Sequence, residues 1–455
     1  MLINADYHSF IKDKNKNRPP IEVAVLGAGW FGQGLIYELA RNPYMQPRII
    51  FNRTADHAID ALIKAGIKKE DIEIATSAHE LKEKTKHKKF VVCSNLGLIN
   101  QLPKQIDVFF DANGSTLTSA EAAYAVIQQK RHFITTSAEM DATVGLELKK
   151  LADTHGIIYS NSEGDQPGCL AKMVEDIKLM GFDIAAAGNG KGFLNYHATP
   201  DDILQYVPHN NTPQKITSFT DGTKQSLEIT VLANGLNLKI DKRGMHGTTV
   251  TKENLVDTVM RAASQEGIAE YIMGENINLG MTIFVIGKRN DSYIYDDLAY
   301  LRIGKGPYYL FFKDYHLCYL ESPKSILGAV LFNKATIAAQ YANADVITVA
   351  KRDLHPGEKI DGIGGYMVYG LIDTYDNVRS GHYLPLGLSE YTTVQKHIKK
   401  DSPITFNDVD IPDNNLLFQL KNKEYTNQKP PIPKTAELKL KRMDAAHKNE
   451  GPIHV

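Results

Sequence analysis

The chain has 455 residues, 43% hydrophobic and 23% charged, with a formal net charge of −1. That length predicts two to four domains of ordinary globular composition, and the balanced charge excludes a basic surface for nucleic acid or an electrostatic membrane anchor. Cys93, Cys169 and Cys318 are widely spaced and form no C-x-x-C pair, which points to a reducing cytoplasm rather than a disulfide framework.

Residues 1–20 read as a polar arm ending in Arg18-Pro19-Pro20, without the apolar core of a signal peptide. No uncharged apolar run approaches the roughly 20 residues that span a bilayer. From 21 to 183 the pattern alternates strand and helix, which predicts a doubly wound parallel sheet of Rossmann type. Its opening is the most informative stretch. Val23 to Leu26 reads as a buried strand, runs into Gly27-Ala28-Gly29-Trp30-Phe31-Gly32, and is followed by a helix former, Leu35 to Ala40. Strand, G-x-G-x-x-G and helix in that order form a dinucleotide fingerprint. Gly27 permits the tight turn, Gly29 lets a pyrophosphate approach the backbone, and Gly32 lets the helix pack on the strand. The turn residues Trp30 and Phe31 sit at the helix N-terminus, whose free N–H groups face the phosphates.

Arg48 to Phe51 is the second expected strand, and it ends in Asn52-Arg53-Thr54. This is roughly 20 residues past Gly32, where an acid would bind the ribose hydroxyls of NAD. An arginine between two small hydrogen-bonding residues predicts NADP(H) in preference to NAD(H). Further strands are expected at Phe90–Cys93, Val108–Asp111, His132–Thr135 and Ile157–Ser160, with helices at 56–65, 119–130 and 144–154. Glu163 and Asp165 then precede a helical run from Cys169 to Met180. Asp165 reads either as a site carboxylate or as a helix cap.

Residues 184–342 are expected to form an α+β substrate and dimerisation domain. The stretch Gly188-Asn189-Gly190-Lys191-Gly192 reads as a glycine-rich turn, and Lys191 is its candidate catalytic group: a lysine in a dry turn can stabilise an alkoxide or protonate it. Lys224, in Asp221-Gly222-Thr223-Lys224, is the second candidate. Arg243 suits a bidentate clamp on a phosphate or carboxylate. Glu163, Asp165 and Asp201 can bind substrate hydroxyls or an amine, or hold a divalent metal such as Mg²⁺ or Mn²⁺. His197 and His246 read as structural. Strands are expected at 281–287 and 308–312, and a long helix from Ser325 to Tyr341. Residues 343–411 form a small β-rich unit, and 412–455 a Lys-rich polar tail expected to wrap or remain without order.

Several motifs together resemble a known family. Asp107 to Gly114, which includes Asn113 and Gly114, and His132 to Glu139 resemble the second half of the homoserine dehydrogenase cofactor domain. Ala138-Glu139-Met140-Asp141-Ala142-Thr143-Val144-Gly145, Glu163 to Gly168, His197 to Asp201 and Arg243-Gly244-Met245-His246-Gly247 resemble the homoserine-dehydrogenase-like oxidoreductases that end in a SAF domain, and Asp353 to Tyr366 resembles that SAF domain. The resemblance spans roughly residues 20–412. It implies an NADP-dependent homodimeric enzyme with a small-molecule substrate, and it adds Asn113 and Gly114 to the cofactor site. Some members resemble deoxyxylulose-phosphate reductoisomerase, of isoprenoid precursor synthesis. The Asn-Lys pair of true homoserine dehydrogenases is replaced here by Ser137-Ala138-Glu139, which points away from homoserine. The alternatives are homoserine dehydrogenase itself, or an NADP-binding regulatory protein without turnover.

Overall fold

The glycine fingerprint and the stretches bearing Lys191 and Lys224 fall on different parts of the fold. The computed structural model describes residues 11–427, apart from 15, 17, 88, 209, 210, 276 and 277. The chain divides into two compact units. The first takes the residues through Ser137, then Leu151–Gly168 and Leu317–Ile337; the second takes Ala138–Lys150, Cys169–His316 and the residues from Ala338 onward. Of the polar arm, residues 1–10 lie outside the described residues. Its described end is fastened: Ile11 packs into the core and Arg18 pairs with Asp107 at 2.8 Å.

In the first unit, seven strands form one parallel sheet: β1 (Ile21–Leu26), β2 (Met45–Phe51), β3 (Ile72–Ile74), β4 (Phe90–Cys93), β5 (Val108–Asp111), β6 (His132–Thr135) and β7 (Tyr159–Asn161). Their order is β3-β4-β2-β1-β5-β6-β7. Chain progression reverses between β1 and β5, the switch point at which open α/β sheets bind ligands beyond their carboxyl ends. Val23, Ala24 and Val25 are fully buried, as a strand covered on both faces requires. The helix α1 (Trp30–Arg41) lays Leu35, Ile36 and Leu39 against the sheet. Along one face runs an aromatic row, Phe51, Phe109, Phe133 and Tyr159, with ring centroids 5.8–6.0 Å apart.

The second unit holds a mixed sheet ordered β12-β11-β8-β10-β9, built from β8 (Asp183–Lys191), β9 (Thr248–Val250), β10 (Ile268–Gly274), β11 (Ile283–Lys288) and β12 (Tyr308–Lys313). A helix from Thr223 to Leu236 lies between β10 and a hairpin of β13 (Ala344–Ala350) with β14 (Val368–Thr374). It is buried almost all round although it carries Thr223, Gln225, Ser226, Glu228, Thr230 and Asn234. Buried polar groups need partners, and the hairpin supplies those of Thr223, Ser226 and Asn234. Gly370 donates its N–H to Thr223 Oγ1 and accepts from Ser226 Oγ, and Asn234 bonds both backbone groups of Ala344.

Three local expectations are corrected. The glycine-rich stretch through Lys191 is the end of β8, not a turn. Its glycines serve close strand approach: a Cβ on Gly188 would collide with the Glu270 carbonyl of β10, and one on Gly190 with the Leu279 carbonyl. The long helix expected from Ser325 to Tyr341 spans only Pro323–Phe332, and ends where Asn333 turns left-handed at φ 52°. In the polar tail, Leu416–Asn427 is a helix that buries Leu417, Phe418, Leu420, Lys421 and Glu424; residues 428–455 lie outside the described residues.

Candidate functional site

The cofactor end belongs to the first unit. Gly27 takes φ +101°, and a Cβ there would lie 2.7 Å from the Ala112 carbonyl oxygen. A Cβ on Gly32 would collide with the Gly27 carbonyl, whereas the space around Gly29 is open to 4 Å. Gly29 is also the N-cap of α1 and offers no side-chain acceptor, so the first N–H groups of α1 remain available to an anion. These three observations fit a dinucleotide pyrophosphate. Asn52 is occupied in shaping the turn: it accepts from the Ala28 N–H at 3.0 Å and donates to the Thr54 carbonyl at 2.7 Å. Arg53 and Thr54 are exposed just beyond β2. The Phe31 ring packs inward against Phe110, while Trp30 is partly exposed and edge-on to Tyr319. The loop after β5 holds Asn113, whose N–H donates to Asp111 Oδ1, and Gly114, again with open space around it.

The second unit gathers a set of charged groups that water barely reaches. Lys191, at the end of β8, is 8% exposed and its Nζ donates to the Phe219 carbonyl. Burial pushes its pKa down to about 8, against the opposing pull of Glu228 and Asp221. Lys224 projects from the first turn of the 223–236 helix and donates to Glu139 Oε1 at 3.0 Å, with Glu228 Oε1 at 3.9 Å. Burial raises the Glu139 carboxyl, but the Lys224 ammonium together with its hydrogen bonds and the Lys215 charge outweighs it, and the net shift is downward. Asn189 donates to Glu228 Oε2 at 3.4 Å and accepts from Gln225. Asp221 faces Lys351 at 2.8 Å, both fully buried; burial raises the Asp221 carboxyl and Lys351 opposes it. Lys191 and Lys224 are thus brought into one network. Sequence reasoning missed Glu139, Asn189, Asp221, Gln225, Glu228 and Lys351. The signal present was the count of polar residues in the 223–236 helix, too many for an apolar stripe.

The remaining expected residues have other surroundings. Arg243 is held by Asp373 at 2.7 Å and lies over the Tyr383 ring. Asp201 accepts from the Tyr366 hydroxyl at 2.9 Å. His197 pairs with Asp401 at 2.6 Å and His246 with Asp241 at 2.7 Å, as structural histidines do. In the first unit, Glu163 faces the Lys324 ammonium at 2.8 Å, and Asp165 Oδ2 is buried without a hydrogen-bond partner among the described residues. A divalent metal at Glu163 would have to displace Lys324, and among the described residues no group of three His, Cys, Asp or Glu side chains is placed to hold one. No helix among the described residues is long and apolar enough to cross a membrane.

A parallel dinucleotide-type sheet joined in one chain to a buried lysine network defines the class: an NAD(P)-dependent oxidoreductase. Comparison with known proteins agrees, since residues 164–322 match the family described as oxidoreductase DRL, catalytic domain. None of the curated proteins matches the chain. Solved structures similar to it include a probable dehydrogenase from Thermotoga maritima, with 14% identity, 69% of this chain and 90% of that one covered, and a TM-score of 0.39. The 3-ketoreductase KijD10 from Actinomadura kijaniata, solved with TDP-benzene and NADP, shows 11% identity over 69% of this chain and 90% of its own, with a TM-score of 0.35. Scyllo-inositol dehydrogenase from Lactobacillus casei, solved with NAD(H) and scyllo-inositol, shows 12% identity over 60% and 67%, with a TM-score of 0.33.

Proposed function

We propose that the protein is an NADPH-dependent reductase or reductoisomerase of the homoserine-dehydrogenase-like, SAF-ended group. It acts, as a homodimer, on a small phosphorylated hydroxy-carbonyl compound, with Lys191 as the proton donor. The observation that carries this reading is the buried Lys191 side chain at the end of β8, its Nζ on the Phe219 carbonyl; burial lowers its pKa to about 8. Bound NADPH would supply a hydride to the substrate's carbonyl carbon, leaving oxidised cofactor. The carbonyl oxygen then takes one proton, and an ammonium that titrates near 8 gives it readily at neutral pH. Lys224 lies between Glu139 and Glu228, and its ammonium helps to lower the Glu139 carboxyl. Ser137-Ala138-Glu139 favours this reading over homoserine chemistry, because Glu139 is built into the lysine network.

The test is NADPH oxidation with 1-deoxyxylulose 5-phosphate and a panel of hydroxy aldehydes and ketones, each with and without Mg²⁺ or Mn²⁺, beside NADP⁺ reduction by homoserine. Turnover on the panel is expected, and Lys191→Gln should lower kcat by about 10²–10⁴-fold with the NADPH Kd unchanged. Full turnover in that variant would remove Lys191 from the chemistry. Tight NADPH binding without turnover on any substrate would instead identify a regulatory binding protein.

A further inference from the structure

The lysine network has an anchor that the proposed chemistry leaves unused. Asp221 sits at the junction of two helices, Pro213–Thr220 and Thr223–Leu236. Its N–H closes the first helix on the Thr217 carbonyl, and its Oδ1 accepts the Thr223 N–H at 2.9 Å, where the second begins. Gly222, between them, takes φ +78°, the left-handed turn that glycine accommodates without strain. The first helix delivers the Phe219 carbonyl to Lys191, and the second carries Lys224, Gln225 and Glu228. Both arms of the site therefore leave from Asp221.

Lys351 pins that junction. It follows β13, is 4% exposed, and meets three groups: Asp221 at 2.8 Å, the Ala198 carbonyl at 2.6 Å and the Gly365 carbonyl at 2.7 Å. Two of its donors hold the Ala198 and Gly365 carbonyls, and the same ammonium faces Asp221 Oδ2 as an ion pair, so three separate segments meet at one cation. A buried ion pair is weak evidence of net stabilisation, since desolvation offsets its attraction. Its retention here is better explained by what it orients.

We propose that the buried Asp221–Lys351 pair is the positioning device of the lysine site: Lys351 pins Asp221, and Asp221 fixes the junction from which the groups facing Lys191 are presented. The inference rests on the reading of Lys191 as proton donor. The charges acting on Lys191 are Glu228 and Asp221; Lys224 and Glu139 lie one step behind Glu228, Lys351 lies behind Asp221, and the neighbouring strand β10 presents Met273. Removing the Asp221 charge while Lys351 remains leaves a cation without its counter-charge, which makes a protonated Lys191 less favourable.

The experiment follows the pH dependence of Lys191 acetylation by acetic anhydride in the full-length protein, read by peptide mass spectrometry. Asp221→Asn should move the Lys191 midpoint downward by about one pH unit, and adding Lys351→Met should return it toward the wild-type value. A midpoint unchanged in folded Asp221→Asn overturns the proposal, since a merely structural pair would alter melting and leave Lys191 alone. Should Asp221→Asn fail to fold, Asp221→Asn/Lys351→Met, which leaves no unpaired buried charge, decides instead. Its kcat should fall at least about tenfold, or one such unit of transition-state stabilisation, with the NADPH Kd unchanged; wild-type kcat overturns the proposal. Labelling is independent of turnover. A catalytically neutral Lys191→Gln would therefore undo the functional reading while the midpoint still judges the pair.

Discussion

Lys191 shows how burial and chemistry oppose each other at one residue. Its pKa is about 8 in the folded protein against an ordinary 10.5. Below pH 8 the side chain is protonated in both states, so the cost of burying the charge is fully present. Between 8 and 10.5 the unfolded chain binds more protons, and stability rises with pH. The difference corresponds to about 3 kcal/mol at most. Lys191→Met should therefore stabilise the protein at pH 7 in urea unfolding, by up to that amount, with the gain shrinking toward pH 10.5; a destabilised variant would show that the charge is not a burden. For the wild type as a reductase, kcat/KM should fall as pH rises through about 8. Arg53 carries a separate prediction. It stands exposed where NAD-specific sites place an acid, and a charge-assisted hydrogen bond is worth about 1.5–3 kcal/mol. Arg53→Ala should thus reduce the preference for NADPH over NADH by roughly ten- to a hundredfold, measured as the ratio of the two Kd values; an unchanged ratio would leave Arg53 as a surface charge. At this scale the sequence was partly legible. Lys191 and Lys224 stood out by their flanking residues, but Glu228, Asp221 and Lys351 come from segments far apart in the chain, and no spacing links them.

Elements were legible where one physical cause dominated the pattern. The strands β1, β2, β4, β5 and β6 each carry a short run of adjacent apolar residues in a parallel sheet and were readable by it. β8 was not. Its glycines imitate a turn, yet each answers a close approach from a neighbouring backbone. β10 was missed because Glu270 interrupts its apolar run; the carboxylate is buried, where it accepts the N–H groups of His246, Gly247 and Tyr271. The difference between a turn glycine and a packing glycine can be measured. Gly188 lies inside β8 without positive φ, so alanine suits its backbone, but the added methyl runs into the Glu270 carbonyl of β10. Gly188→Ala should cost about 1–3 kcal/mol or more, as overpacking does. A turn glycine with room around it would instead tolerate alanine, so a neutral result in denaturant unfolding would contradict the strand assignment.

For the molecule as a whole, composition hid more than it revealed at the C-terminal end. The stretch from Leu416 to Asn427 is rich in Lys and Asn, and reads as solvated chain. In the second unit, however, its Lys421 is a fully buried cation, 2.6 Å from Asp345 on β13 and 2.8 Å from Glu424 one turn on. The Tyr375 hydroxyl donates to Glu424 at 3.0 Å, and Lys423 reaches back to the buried Glu147 at 2.7 Å. The helix Leu416–Asn427 is thereby an integral layer of that unit, joined to it by charge as well as by Leu417, Phe418 and Leu420. Hydropathy cannot distinguish such a lysine from an exposed one, because the distinction lies in Asp345, some 76 residues earlier by their numbering. Removing Lys421 alone leaves Asp345 and Glu424 buried without their cation, a loss of about 3–5 kcal/mol for a broken buried pair. Lys421→Met/Asp345→Asn removes the uncompensated charge, and Glu424 can then keep its proton, since burial already raises its pKa. Urea unfolding should thus show Lys421→Met strongly destabilised and the double variant recovering most of the loss. Equal losses in the two would mean that an unpaired buried Asp345 is not what destabilises Lys421→Met, and little loss in either would mean that the helix is docked by its apolar contacts.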